Sequence, residues 1–292
     1  MANVQKAHEL VAKAEKKLKG NFLGNMFGGT SKYEDAVELF AKAANNYKLA
    51  KEWKLAAETF VRVAECHKEL ESIHEMTTAY VEAAHCYKKI DVAECVRMLE
   101  LAIEQLKDNG RLSMAAKYYK EIAEIHEQQG NDAKCIDYYK EAAHLYQIEG
   151  TSSSEMNCNL KVAEYLAKTG EYAEAIETFE SVAMASLDNN LLKFSVRGYL
   201  LWAGICHLCV GDPVAAAAAL ERYEEMDPSF AQQRECKLLR DCLTAMDEGD
   251  VESFTNAVYE YDRISRLDPT KTSLLLKVKK NIQSGPEEED LT

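Results

Sequence analysis

Ala36-Val-Glu-Leu-Phe-Ala-Lys-Ala-Ala-Asn-Asn-Tyr47 places Ala36, Leu39, Phe40, Ala43, Ala44 and Tyr47 at intervals of three and four. That is the period of one face of an α-helix. The stretch ends with a small residue followed three positions on by an aromatic, and the pairing recurs as Ala64/His67, Ala84/Tyr87, Ala123/His126 and Ala143/Tyr146. With Ala102, Ala163 and Ala183, the small residues fall at 44, 64, 84, 102, 123, 143, 163 and 183, in steps of 18 to 21. Such a step holds a helix of about 15 residues and a short turn.

Turn-forming residues fall between those marks: Lys107-Asp-Asn-Gly-Arg111, Gln128-Gln-Gly-Asn131, Glu149-Gly-Thr-Ser-Ser-Ser154, Thr169-Gly170 and Leu187-Asp-Asn-Asn190. They continue as Gly211-Asp-Pro213, Asp227-Pro228, Glu248-Gly-Asp250 and Asp268-Pro269. Gly, Asn, Asp and Pro stop helices and start turns. Antiparallel helices pack closely where a small side chain admits a bulky one opposite. Two such helices form a hairpin of about 40 residues, and stacked hairpins share one core. Gly170-Glu-Tyr-Ala-Glu-Ala-Ile-Glu-Thr-Phe179 comes nearest to a tetratricopeptide helix, whose repeat is about 34 residues. The pattern therefore predicts an all-α, tetratricopeptide-like α-hairpin solenoid of roughly fourteen antiparallel helices, with longer arms than the standard repeat. It would form a single domain over residues 1–283.

Composition agrees with helix. The 292 residues include 4 prolines and 13 glycines, with 47% hydrophobic and 9% aromatic residues, enough to bury a continuous core. A formal charge of −14 repels a phosphate backbone, so no nucleic-acid partner is expected. The charge is unevenly spread: residues 1–32 sum to +4 and residues 201–292 to −8. Nine cysteines lack paired spacing, as in Cys66, Cys86, Cys95 and Cys135 on apolar helical faces. They suit a reducing cytoplasmic setting. The longest apolar run, Tyr199 to Val210, falls short of the ~20 residues that span a bilayer and contains His207.

Two segments break the pattern. Asn21-Phe-Leu-Gly-Asn-Met-Phe-Gly-Gly29 interrupts a first helix expected over about 3–19. Its Phe22, Leu23, Met26 and Phe27 lie off any periodic face, so the loop either meets a membrane or partner or folds back as a cap. Fully burying one such side chain contributes ~1.5–3 kcal/mol, and nearby lysines add roughly 1 kcal/mol each at an anionic bilayer. At the other end, residues 284–292 form an acidic tail, Ser-Gly-Pro-Glu-Glu-Glu-Asp-Leu-Thr. It is expected to be disordered, yet it carries a lone Leu291 that a purely solubilising tail would not need.

Catalytic motifs are missing. There is no phosphate-binding glycine loop and no Gly-x-Ser-x-Gly, and Gly24, Gly28 and Gly29 follow no strand. Cys206-His-Leu-Cys209 lacks a second pair at zinc-site spacing, since Cys236 and Cys242 are wrongly placed. His67, His126 and His144 sit at or beside aromatic-type positions on repeat helices and read as structural. The expectation is a binding protein with no enzyme activity, no cofactor and no metal. A thiol or zinc enzyme centred on Cys206 and Cys209 is the rival from another class.

Phe22-Leu-Gly-Asn-Met-Phe-Gly-Gly-Thr-Ser-Lys32, Arg234-Glu-Cys-Lys-Leu238, Tyr261-Asp-Arg-Ile-Ser-Arg-Leu-Asp268, Lys279-Lys-Asn-Ile-Gln283 and Glu288-Glu-Asp-Leu291 give the chain a family likeness over residues 5–292. It resembles the soluble NSF attachment proteins of the α/β type. The resemblance implies an adaptor in vesicle fusion and intracellular transport. Such a protein binds the four-helix SNARE complex, built from syntaxin-type and other SNARE helices. It recruits the hexameric AAA ATPase NSF and stimulates it to disassemble the bundle, acting peripherally on the cytosolic face of membranes.

The resemblance also implies residue roles. Membrane contact maps onto Phe22, Leu23, Met26 and Phe27, with Leu23 where the family has phenylalanine. SNARE contact maps onto Lys88, Lys89, Arg111, Lys117, Lys161, Lys193 and Arg197, and Asn157 replaces a family lysine. Contact with the ATPase maps onto Asp247, Glu248 and Leu291. Thr244 stands where the family has an acid, and one aspartate is shifted to Asp212. The alternative in the same class is a tetratricopeptide scaffold for short peptide tails of chaperones or other partners.

Overall fold

The twenty-residue step seen in the alanines reappears as the spacing of helix starts. A computed structural model describes residues 2–19, 30–189 and 191–284, and within them five successive helices open at Val92, Leu112, Asp132, Ser152 and Tyr172, twenty residues apart. The described residues form fourteen α-helices and one short 3-10 turn, Phe230–Gln232, with no strand.

The helices group into two compact units, Met1–Glu155 and Met156–Thr292. The first holds α1 (Ala2–Leu18), α2 (Ser31–Leu49), α3 (Trp53–Glu69), α4 (Ile73–Tyr87), α5 (Val92–Asp108), α6 (Leu112–Gln128) and α7 (Asp132–Ile148). Each packs on its neighbour in the chain. The second holds most of α8 (Ser152–Thr169), then α9 (Tyr172–Leu187), α10 (Lys193–Val210), α11 (Pro213–Met226), α12 (Arg234–Asp247), α13 (Val251–Ile264) and α14 (Pro269–Ser284). Here α10 is the hub, touching α9, α11, α12 and α14. The apolar run from Tyr199 to Val210 is thus helix interior, with nine of its first eleven residues buried on α10, all but Tyr199 and His207.

Alanine sets the packing distance. Ala44, Ala64, Ala84, Ala102, Ala123, Ala143, Ala163 and Ala183 are all at most 5% exposed. Between them sit Phe40, Met98, Leu99, Ile122 and Tyr139 in the first unit and Phe179, Leu200, Tyr223 and Phe254 in the second. Packing is closer still at Gly204 on α10, where an added Cβ would lie 2.3 Å from Leu239 Cδ1 of α12.

The turns are built by the residues that announced them. Asp91, Asn131, Asp212 and Asp250 accept backbone N–H bonds at the starts of α5, α7, α11 and α13. Such caps satisfy donors that the first helical turn leaves open. Asp212 accepts from Val214 and Ala215 N–H at 3.0 Å each, so this aspartate caps α11. At the closing end, Gly110 and Gly130 take φ of 67° and 70°. In the two earlier turns the same left-handed position falls to Lys51 (φ 61°) and Glu71 (φ 54°), where a Cβ costs energy.

Candidate interaction surface

The structure sorts the seven expected binding cations. In the first unit, the turn after α4 brings Lys88 Nζ to 3.2 Å from Glu121 Oε1 on α6, and His85 Nε2 lies 3.5 Å from the same oxygen. The His85 hydrogen bond, helped by the bond and charge of Lys88, outweighs burial and holds the Glu121 carboxyl below its usual range. Lys117 lies one helical turn before Glu121, on the same side of α6. It is exposed, with Nζ 5.9 Å from the Tyr118 ring centroid. Lys88 and Lys117 therefore share one patch, and the exposed Lys89 adjoins Lys88. Arg111 stands at the edge of this group. It caps the start of α6, six positions and about 9 Å of helical rise before Lys117, and at the far end of α5 from Lys88.

In the second unit, Lys193 and Arg197 stand one turn apart on α10, both exposed. Arg197 Nη1 donates to Gln233 Oε1 at 3.4 Å. Arg197 and Arg234 both act on the Tyr261 hydroxyl, partly offsetting the upward push from burial and from Glu235. Arg234 thus belongs beside Arg197, a neighbour that spacing along the chain could not reveal. Lys161 on α8 is paired with Glu164 at 3.1 Å, and Asn157 is exposed on the same helix. Two large apolar side chains flank the α10 cations: Leu191 is 88% exposed and Phe194 80%. Neither residue is marked by any motif or spacing in the sequence.

Two groups of charges oppose their helix. Lys193 is the first residue of α10, where the backbone dipole disfavours a cation. Asp247 ends α12 and Glu248 caps it, where the dipole disfavours an anion. Glu248 borders an open cleft of about 640 Å³ between α12 and α13, walled also by Arg234, Lys237, Asp241 and Tyr261. The Thr244 hydroxyl donates to Arg240 O at 3.0 Å, so this position serves its own helix.

Other candidates read as interior. Cys206 and Cys209 are buried on α10; burial raises both thiols, Cys209 to about 11. All nine cysteines are buried and none is in a disulfide, and burial also lifts Cys95 and Cys236 to about 11 and Cys242 to about 12. His126 is 5% exposed and stacks on Tyr138 at 5.5 Å, whereas His67 is half-buried and His144 exposed. Among the described residues, no group of three or more His, Cys, Asp or Glu could hold a metal. No helix among them is long and apolar enough to cross a membrane. Phe22, Leu23, Met26, Phe27 and Leu291 lie outside the described residues.

Comparison with known proteins adds a second line of support. The family model described as "Soluble NSF attachment protein, SNAP" matches residues 5–283. An "Alpha-soluble NSF attachment protein" of Vitis vinifera is 48% identical over 291 residues, covering 99% of each chain. Its namesake from Mus musculus is 43% identical over 98% of this chain and 97% of its own. A "Probable vesicular-fusion protein sec17 homolog" of Schizosaccharomyces pombe is 39% identical over 97% and 98%. Among solved structures, a signal-transduction ATPase with a tetratricopeptide sensor from Pyrococcus horikoshii aligns with a TM-score of 0.45 and 15% identity, covering 92% of this chain and 44% of that one.

Proposed function

The chain belongs to the soluble NSF attachment protein family, and from that premise we propose that it is an adaptor that binds SNARE complexes and couples them to NSF. Recruiting the ATPase and stimulating its ATP hydrolysis would disassemble the bundle in vesicle fusion. The observation that carries this reading is a family match over residues 5–283, with relatives so named aligning across nearly their whole length. The adaptor itself would perform no catalysis.

Physical chemistry gives the cations a definite part. Exposed ion pairs contribute only ~0.2–1 kcal/mol each, so Lys89, Arg111, Lys117, Lys193, Arg197 and Arg234 would steer and orient an acidic helical bundle more than hold it. Lys88 and Lys161, already paired, would contribute less until their acids let go. Leu191 and Phe194 would supply the apolar contact that charge alone lacks. Several copies around one bundle would gain through effective concentration. Asp247, Glu248 and Leu291 would face the ATPase. Phe22, Leu23, Met26 and Phe27, near a net-positive first segment, would hold the adaptor on the cytosolic face of a membrane. Residues 1–283 would act as one binding domain and 284–292 as its tail.

The test is reconstitution: purified chain, a SNARE bundle, NSF and ATP, with release of single SNARE helices as the readout. Release that depends on this chain supports the reading, and release that is the same without it overturns it. Lys117→Glu with Arg197→Glu should weaken bundle capture, and Phe22→Ser with Leu23→Ser should lower attachment to anionic liposomes.

A further inference from the structure

The last helical hairpin leaves a groove uncovered. Phe254, Val258 and Tyr259 of α13 and Leu275, Leu276 and Lys279 of α14 line an opening of about 410 Å³. Much of its wall is apolar, and Tyr259 and Leu276 remain 63% and 50% exposed. In stacked hairpins such a groove is covered by the next helix. After α14 the sequence continues instead as Gly285-Pro-Glu-Glu-Glu-Asp-Leu-Thr292. We infer that the groove is the docking site of this chain's own carboxyl-terminal segment, with Leu291 seated between Tyr259 and Leu276 and the acids of 287–290 along the lysines of α14.

Reach and charge both support this occupant. Gly-Pro is a turn-starting pair, so residues 285–286 can reverse the chain at the end of α14. Lys280, Lys279 and Leu276 lie roughly 6, 8 and 12 Å back from Ser284 at the helical rise. Five extended residues, 287 to 291, span roughly 13 Å. The run of acids then passes Lys280 and Lys279, and Leu291 arrives at Leu276. Neither lysine enters an ion pair among the described residues. The acid on the opposite rim, Asp262, is already held by Arg266 at 2.7 Å. A tethered segment competes at an effective concentration in the millimolar range, so weak contacts suffice to occupy the groove much of the time.

Docking would hide the leucine proposed to face the ATPase, and salt or the ATPase itself would release it. That consequence rests on the proposed function; the docking does not. Amide NMR spectra of the full chain and of Leu291→Ser, at low salt, test the docking. Peaks of Val258, Tyr259, Leu276 and Lys279 should differ between the two proteins, and added salt should move the wild-type peaks toward the mutant positions. Identical peaks overturn it. Shifts that appear only as protein concentration rises, together with a larger particle in light scattering, assign the groove to the tail of a second copy and also overturn it.

Leu276→Glu, at a half-exposed position, should reproduce the released spectrum. It should also lower the concentration for half-maximal ATPase stimulation about three-fold if two thirds of the tails are docked. Groove shifts without any ATPase response retain the docking and remove the stimulation reading. Lost stimulation in Leu291→Ser with unchanged groove peaks does the reverse.

Discussion

Lys88 Nζ and Glu121 Oε1, 33 positions apart in the chain, meet at 3.2 Å across α4 and α6. One of the expected binding cations is therefore partly neutralised by the protein itself. Replacing Glu121 by Gln should free Lys88 and remove a negative charge beside Lys117. Capture of an acidic helical bundle should then strengthen about two- to five-fold at low salt, the size of one exposed pair. The gain should fade at high salt, where such charges are screened. Binding curves at two salt concentrations check it, and a weaker mutant would place the bundle elsewhere.

The same carboxylate sets a pH dependence. The Glu121 pKa is lowered, chiefly by the His85 hydrogen bond. A lowered folded-state pKa adds stability above the unfolded value, and the contribution is lost as pH falls through the folded one. Glu121→Gln should therefore cost stability near neutral pH and cost progressively less as pH falls below about 4.5, the gap closing once the native carboxyl is itself protonated. Urea unfolding at neutral pH and at about pH 3.5 reads the difference. A constant gap would show that the bond is not charge-assisted.

Lys51 and Glu71 occupy left-handed backbone positions that later turns give to glycine. A side chain there costs ~1–2 kcal/mol, while glycine's extra unfolded-state freedom returns ~0.5–1 kcal/mol of that. Lys51→Gly and Glu71→Gly should each stabilise the first unit by about 0.5–1 kcal/mol. Thermal melting or urea midpoints measure it.

Asp247 stands against the dipole of α12. Asp247→Lys should steady that helix end by about 0.3–1 kcal/mol while reducing ATPase stimulation. Opposite movement of melting temperature and activity is the signature. A loss of both would make Asp247 structural instead.

Much of the fold was legible because helix period and turn chemistry are local. Ala102 or Ala163 shows its role through neighbours three and four positions away, and Asn131 or Asp250 through the helix that follows. What stayed hidden depends on partners distant in the chain. Nothing near Gly204 signals Leu239, nothing near Lys88 signals Glu121, and nothing near Arg197 signals Arg234. Leu191 and Phe194 look like ordinary core residues until their exposure is seen. His144 sits two places before the aromatic Tyr146, and two places on a helix turn a side chain by roughly 200°, enough to face water. The resemblance supplied site residues that no spacing rule would have selected.

Nine thiols buried in the helix interiors leave a chemically quiet exterior. A group with a pKa near 11 is ionised about once in ten thousand molecules at neutral pH, and burial denies reagents even that fraction. The native chain should thus tolerate maleimides and mild oxidants. A single cysteine placed on the surface, at Asn157 for instance, could carry a dye or spin label without first removing the natural ones.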